Sequence, residues 1–514
     1  MGIVDLWKVL KAAVQTRTLA QVSLTEGFEA DRRGKKSIYL GLDGSRPSAC
    51  YSIEPNGPLT IKQDGASICR LLALPIVTVV VFDGPKRPLF KRQRKVKTAP
   101  HALMEAYMEL LKDAGFYSYV APGEAEAELA ELNARGQVDA IITDDADAFL
   151  FGATCTIRTS NVLKDGDHIS IYTLAAIENH PKVRMTRPRL LLFAMLCGGD
   201  YARGLKECGK STAHQLCMGT SLGEDLFAAA RDLSDHHLHD FLQGWRAQLQ
   251  LELSENPNKV LSQCRPAAAQ NISEQFPSRQ VLHCYLHPVT SWSNGNAGPP
   301  LDIFLGAVRQ PDLAALAVCK NLWSGISFRT FMQPLDIPSA IAAHLSGTTT
   351  GLQPPAILSI LRVSLGPGNP SKSPNMWGYN VKVEPHSLVV DTLSRLPSEV
   401  RRAAESQPCK SVIIWIPACV LACTLPDLVH RFHIKKPRIH MIQQQYQPIL
   451  PVTSQSSHTG QAGQLFSNDN NSDKGGRGDN LDSSSIGSDV GGKMTFGPQT
   501  RLEFLLDSLD SLLD

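Results

Sequence analysis

Ala121-Pro-Gly-Glu-Ala-Glu-Ala-Glu-Leu-Ala130 and, a short way on, Val138-Asp-Ala-Ile-Ile-Thr-Asp-Asp-Ala-Asp-Ala-Phe-Leu-Phe-Gly152 decide how this chain is read. The first string turns from Pro122-Gly123 into a helix start that carries Glu124 and Glu126. The second is an apolar strand, Val138 to Ile142, that runs into Asp144, Asp145 and Asp147. An unpaired buried carboxylate is very costly, so these acids either face water or surround cations. Oxygen ligands with no Cys or His nearby point to a hard cation, Mg2+ or Mn2+.

Working outward, Ser37 to Leu42 reads as a strand ending at Asp43, and Ile76 to Phe82 as a nearly continuous β-branched strand ending at Asp83. Such a run suits a parallel strand buried on both faces. Helical spacing covers residues 3 to 13, 101 to 114 and Leu190 to Leu196, the last delivering Gly198-Gly199-Asp200. A strand pair is expected at Cys155 to Thr159 and His168 to Tyr172. Strands alternating with helices predict an α/β domain, a mostly parallel central sheet flanked by helices. Ligands of open sheets bind at the carboxyl ends of the strands, so Asp43, Asp83 and the Asp145/Asp147 pair are expected to meet at one rim. Asp145 and Asp147, two apart in an extended chain, would point the same way. Glu124 is placed at the helix entry, off the regular spiral. Alone, Glu124 and Glu126 would read as first-turn acids complementing the helix dipole; the other acids move the reading towards metal.

Residues 84 to 97 hold Lys86, Arg87, Lys91, Arg92, Arg94, Lys95 and Lys97 and no acid. A charge run is ordinarily a solvated loop. One that directly follows a rim carboxylate reads as a phosphate-backbone contact. Phe90 is its sole aromatic, which gives base stacking little support. Gly204 to Ser211 matches the string of a nucleotide-binding P-loop, but it follows a helix where that motif requires a strand. It reads instead as a glycine turn entering a helix, where N–H groups can hold a phosphate.

The 514 residues suggest roughly two to four domains, and 43% hydrophobic content supplies ordinary cores. A formal net charge of +2 says nothing about partners, so any nucleic-acid preference must lie in local clusters. The twelve cysteines are scattered without a CxxC pair, the usage of reduced thiols in a cytosolic or nuclear protein. Asp5, Lys8 and Lys11 interrupt the first helix, against a secretory signal. Leu6 stands where myristoylation of Gly2 would want Ser or Thr. The longest apolar runs, 71 to 82 and 412 to 422, are too short to span a membrane.

Residues 225 to 252 read as helical, Gln280 to Thr290 as mixed, and Pro300 to Leu345 as helices broken by prolines. Past a linker at Gly347 to Pro355, strands are expected at Ile357 to Val363, Tyr379 to Val383 and Val412 to Ile416. A helix with Leu425, Leu428 and Val429 follows. Lys435-Lys-Pro-Arg438 is compatible with nuclear import. Residues 452 to 494 have the composition of a disordered tail, and Leu502 to Leu513 regains the spacing of an amphipathic, partner-binding helix. The expected organisation is a core over 1–250 with a helical turn element near 198–225. A helical extension over 251–346, a β-rich module over 356–440, a tail over 452–494 and a short helix over 499–514 follow it.

Met1-Gly-Ile, Val81-Phe-Asp-Gly-Pro, Pro122-Gly-Glu-Ala-Glu-Ala, Thr143 to Gly152 and Gly199-Asp-Tyr with its glycine turn occur in this order. Together they resemble the XPG-like structure-specific nucleases over about residues 1 to 250. Tyr285-Leu-His-Pro288 and Val412 to Val420 resemble, more loosely, the Holliday-junction resolvase branch, in which a chromodomain-like module follows the nuclease. The resemblance implies a PIN/XPG-like core with a helix-two-turn-helix and two Mg2+ ions, with Mn2+ able to substitute. One ion would lie near Asp83, Glu124 and Glu126 with Asp43 close by, the other near Asp145, Asp147 and Asp200. Such a pair activates the attacking water and stabilises the leaving oxygen of a phosphodiester. Asp144 and Glu128 fall outside the pattern.

Lys91 and Arg92 match basic positions near the scissile phosphate, where they would stabilise developing charge. Lys86, Arg87, Arg94 and Lys95 extend that implied DNA contact, and Gly2 would lie close to the DNA. Gly204, Gly209 and Lys210 would grip duplex backbone, with a monovalent cation at the turn. The chain departs from the family after Asp43, where Gly44 to Gly57 makes a poor helix. Asp83 and Glu124 are also close in sequence for an arch that threads a free flap; a short arch suits a junction, which has no free end. The implied protein is a nuclear, Mg2+-dependent endonuclease of branched DNA, two protomers acting about a two-fold axis on a four-way junction. A flap endonuclease of the same fold, a catalytically silent DNA-binding scaffold and a ribonuclease are the alternatives.

Overall fold

In chain order the strands are β1 (Gln15–Thr18), β2 (Ile38–Asp43), the hairpin β3–β4 (Tyr51–Ile53 and Leu59–Ile61), β5 (Ile76–Phe82), the hairpin β6–β7 (Phe90–Lys91 and Arg94–Lys95), β8 (Tyr117–Val120), β9 (Ala140–Ile142), β10 (Cys155–Thr159) and β11 (His168–Thr173). The central strands β2, β5 and β9 form where aliphatic, largely β-branched residues concentrate. This computed structural model describes residues 2–44 without 35, 51–53, 59–61, 71–96 without 73, 92 and 93, 104–159, 168–295, 311–318, 356–365, 376–384 and 411–435, with a few single positions besides.

Seven strands make one sheet in the order β1-β11-β10-β9-β2-β5-β8. β10, β9, β2, β5 and β8 run parallel, and β11 and β1 add an antiparallel edge. The parallel strand order reverses between β2 and β9, the kind of switch point where α/β sheets open a crevice. Asp43 lies opposite Val81 and Val81 opposite Tyr119, so the carboxyl ends of β2, β5 and β8 are level.

Every residue of β5 is buried. Val77, Val79 and Val81 point into one apolar cluster with helices Ala125–Ala134 and Arg187–Cys197. Ile76, Val80 and Phe82 point into another with helix Met104–Asp113. This is the period-two division of a strand covered on both faces. Leu190 to Leu196 are all buried, as befits a helix that is apolar all round.

Two strands of the seven-stranded sheet and both hairpins are not among the strands expected from the sequence. β8 is Tyr-Ser-Tyr-Val, whose alternation is the available signal; β1 is short and polar, with none. The helical stretch expected at 225–252 is two helices, Leu222–Asp232 and Asp235–Ser254, separated at Ser234. The mixed stretch at 280–290 is helical through Leu286. Leu253, Ile272 and Tyr285 share the first apolar cluster with the sheet.

Farther on, β12 (Ala356–Leu365), β13 (Trp377–Glu384) and β14 (Val412–Pro417) form an antiparallel sheet at the expected positions. Helices Ala418–Thr424 and Pro426–Lys435 close it, the second opened by its proline. Its core also takes Leu24 and Phe28 from the helical segment Ser23–Glu29. The expectations for 319–355 and for 436–514 lie outside the described residues. Among the described residues no helix is long and apolar enough to cross a membrane.

Candidate metal centre

Each acid reaches the rim by its own route. Asp43 ends β2, and Asp83 follows β5 directly. Glu124 follows β8 and precedes helix Ala125–Ala134 in extended conformation, φ −85° and ψ 137°. It is off the spiral, which lets it share a crevice with Glu126. Asp83 Oδ1 accepts the Ala125 N–H at 2.9 Å, a cap supplied from another strand.

Past β9 the chain turns. Asp145 N–H donates to Thr143 Oγ1 at 2.9 Å, and Asp147 N–H donates to Asp145 Oδ1 at 3.0 Å. Asp147 opens helix Asp147–Phe151. A capped turn, and not the alternation of an extended chain expected from the sequence, brings the two carboxylates together. Asp200 arrives from the loop after Arg187–Cys197, where Gly198 turns the chain with φ 84°. The N-terminal residues are laced between these parts. Ile3 N–H donates to Asp147 Oδ1 at 2.6 Å and Val4 N–H to Gly198 O at 2.9 Å.

Glu124, Asp145, Asp147 and Asp200 are all buried. Burial is the main cause that raises the pKa of Glu124, Glu126, Asp145 and Asp147. Like charges add to it: Asp145 and Asp43 act on Glu126, Asp145 and Asp200 on Asp147, and Asp83 on Glu124. These neighbours link the seven acids pair by pair into one group. Lys91, from the β6–β7 hairpin, enters the cluster. Its ammonium pairs with Glu124 and lies 3.2 Å from Glu126 Oε2 and 3.6 Å from Asp200 Oδ2. Burial works against its charge, but Glu126, Glu124 and Asp200 outweigh it and raise the Lys91 pKa.

Among the described residues no three Asp, Glu, His or Cys side chains stand as a ready cage for one ion. The Lys91 ammonium holds the point that three of the carboxylates share. The fit of a divalent ion rests on other features. Asp145 Oδ2 is buried without a hydrogen-bond donor. Gly2 has φ 76°, and a Cβ there would collide with the carboxylates of Asp145 and Asp147. The donors are all oxygens, and carboxylates that hold protons release them to a hard cation. These residues fit Mg2+ or Mn2+.

Residues 115–200 match the XPG I-region family model. The chain is 30% identical over 206 residues to the DNA excision repair protein ERCC-5 homolog of Xenopus laevis, an alignment covering 40% of this chain and 16% of that one. It is 36% identical over 116 residues to the flap endonuclease GEN homolog 1 of Mus musculus, covering 22% and 13%. The matches thus span about a sixth or less of these relatives' length. Among solved structures, it superposes on the Holliday junction-resolving enzyme GEN1 in complex with product DNA and Mg2+ ion. The TM-score is 0.62 at 22% identity, covering 85% of this chain and 100% of the other, a likeness of fold. The chain carries an XPG I-region in an XPG-like nuclease fold.

The I-region supplies Glu124, Glu126, Asp145, Asp147 and Asp200; Asp43 and Asp83 come from the strands before it. Glu128, inside the region, is structural: fully buried, it accepts from Tyr119 Oη at 2.9 Å and from Ser291 N–H at 2.8 Å. Asp144 pairs with Arg158 at 3.0 Å, away from the cluster. The basic run before the I-region divides. Lys86, Arg94 and Lys95 are exposed, while Arg87 turns back to Gly84 O at 3.2 Å and towards Asp83 at 4.0 Å. Arg92 and Lys97 lie outside the described residues.

Just after the I-region, Gly204 has φ 81°, and a Cβ there would strike the backbone of Leu196, Cys197 and Gly198. Gly209 and Lys210 are exposed where helix Lys210–Gly219 begins. Helix Arg187–Cys197 precedes the turn, which separates it from a P-loop. Sequence reading missed two phenols at the acids: Tyr201 donates to Glu124, and Tyr285 lies 3.4 Å from Asp147. The available signals are the adjacency of Tyr201 to Asp200 and the place of Tyr285 in the Tyr285-Leu-His-Pro288 string. A cavity of about 680 Å3 opens beside Glu124, with Lys86, Phe90, Tyr201 and His287 among its walls.

Proposed function

We propose that this protein is a nuclear, divalent-metal-dependent endonuclease that hydrolyses phosphodiesters in branched DNA, the four-way junction being its substrate. The observation that carries the reading is the meeting of seven acids at the switch-point crevice, with a donorless Asp145 oxygen among them. The fold likeness to a junction-resolving enzyme bound to product DNA and Mg2+ supports the same reading.

In this reading Asp83, Glu124 and Glu126, with Asp43 behind them, hold one Mg2+, and Asp145, Asp147 and Asp200 hold a second. Asp200 also lies within reach of the first group through Lys91. The ions supply an activated water and charge stabilisation at the leaving oxygen. The chain's own residues do the rest. Lys91 leaves its carboxylate partners to meet the scissile phosphate, joined there by Arg92. Lys86, Arg94 and Lys95 hold the strand backbone, with Arg87 at the rim and Gly2 beside the reacting phosphate. Gly204, Gly209 and Lys210 hold the flanking duplex, with a monovalent cation at the turn. Two protomers related by a two-fold axis place two such centres on opposite strands.

The test is to map cuts on a labelled four-way junction with Mg2+ and with Ca2+, beside a matched flap and RNA versions of both. Paired symmetrical cuts with Mg2+ and none with Ca2+ are expected. Strong flap cutting without paired junction cuts would replace the resolvase reading by a flap endonuclease. Tight binding with no cleavage under any metal would leave a scaffold.

A further inference from the structure

Tyr285 lies outside the I-region, in helix Arg279–Leu286, and is 1% exposed. Its hydroxyl lies 3.4 Å from Asp147 Oδ2. That is the oxygen left over once the Ile3 N–H takes Oδ1. Gly199 keeps the space for it, because a Cβ there would collide with the Tyr285 hydroxyl. Tyr201, next to Asp200, donates its hydroxyl to Glu124 Oε2. The two rings meet edge to face, with centroids 4.7 Å apart and planes at 71°. A continuous path therefore runs from Glu124 on the β8 side, through two phenols, to Asp147 on the β9 side.

We propose that Tyr201 and Tyr285 are positioning residues which orient Glu124 and Asp147 and set the separation of the two halves of the acidic centre. This rests on the metal-dependent reading above and deepens it. A phenol that donates to a carboxylate oxygen fixes the rotamer, and the lone pairs that remain on the carboxylate are held in one direction for an ion. Groups that orient metal ligands in this way typically govern affinity or activity by about 10–100-fold. The arrangement also makes the centre depend on residues 279–286, which lie far along the chain from every acid it orients. Simple packing accounts for the burial of the Tyr285 ring. It does not account for two hydroxyls that end on carboxylates of opposite halves.

The decisive variant is Tyr285→Phe, which keeps the ring and removes the hydroxyl. Calorimetric titration of the full chain with Ca2+ and Mg2+, without DNA, is expected to show roughly tenfold weaker affinity. On a four-way junction the Mg2+ midpoint rises and kcat falls while KM holds. Tyr201→Phe behaves alike. The double variant loses less than the product of the single losses, as residues on one path do. Tyr285→Leu serves as the packing control, lowering Tm where Tyr285→Phe leaves it in place. Wild-type ion affinity in Tyr285→Phe overturns the positioning role. Wild-type protein that binds the ion yet cuts no DNA removes the nuclease reading and leaves this comparison standing.

Discussion

At the rim of the seven-stranded sheet, Glu124, Asp145, Asp147 and Asp200 are buried side by side, whereas the described core of the three-stranded sheet β12–β14 is made of Tyr379, Val381, Val383, Ile416, Leu421 and Phe432. The second region is what burial of apolar area alone would select. The first is what it would reject, since like charges brought together out of water destabilise a fold. The module's composition is explained by its own stability. In the reading proposed above, the composition of the rim is explained by the ions it binds, with Lys91 offsetting part of the charge. Replacing a rim acid and replacing a module core residue should therefore have opposite consequences.

Asp147→Asn gives the largest expected effect. It removes a charge and keeps the shape. Cleavage should fall by about a thousandfold or more, as it does when one member of a catalytic unit is lost. Junction binding persists, because the exposed Lys86, Arg94 and Lys95 are untouched. In chelator the variant should melt no lower than wild type, since a group that is costly to ionise has left a buried site. Unchanged turnover would reject the metal assignment. A marked fall in Tm would show that Asp147 belongs to the packing, and the contrast with the module would fail.

Leu421→Ala is the counterpart. Leu421 is fully buried in the module core. The cavity left behind should cost about 2–5 kcal/mol. The cost should be read as faster amide exchange over residues 376–384 and 412–421, with ion affinity at the rim unchanged. Leu24 and Phe28 join the two regions. Weakened ion binding in this variant would show that the join transmits, and the two regions would have to be treated as one unit.

The same contrast explains what the sequence disclosed. β5 was legible because seven consecutive buried positions leave a continuous apolar run, and β12 to β14 because each strand is β-branched and bounded. Asp43, Asp83 and the Asp145/Asp147 pair are legible because each follows such a strand at its carboxyl end, whereas Asp200 follows a helix and Glu126 lies inside one. The local path of each acid was partly hidden. Glu124 lies before its helix, in the extended N-cap position expected after Pro122-Gly123. Asp147 was misplaced in an extended chain, because the turn that caps it depends on the Asp145 side chain. Tyr285 is marked in the sequence only by the Tyr285-Leu-His-Pro288 string and not as a neighbour of the acids: its partner lies 138 positions away, and no periodicity reports a contact of that range.

The smallest expected effect is on stability against pH, and its sign is diagnostic. Glu124, Glu126, Asp145 and Asp147 have pKa values raised in the folded protein, by burial first. In the unfolded chain they ionise in the ordinary range near pH 4. As pH rises past that range, the unfolded chain releases its protons first and binds fewer than the folded one. Stability must then fall with rising pH until the folded groups ionise too. Lys91 offsets only part of this, since it is one cation among several acids. In chelator, stability, and Tm with it, should therefore decline as pH rises above the ordinary carboxylate range, by about 1.4 kcal/mol per pH unit for each proton that the folded protein retains in excess. A divalent ion takes the ionised carboxylates, so it should reverse the trend, and its stabilisation should grow over the same interval. Leu421→Ala should shift both melting curves without changing either slope. Asp147→Asn should flatten the slope in chelator. A Tm in chelator that stays level with pH in the wild type would mean that these carboxylates are as well solvated as surface ones, and the rim would no longer differ from the rest of the molecule.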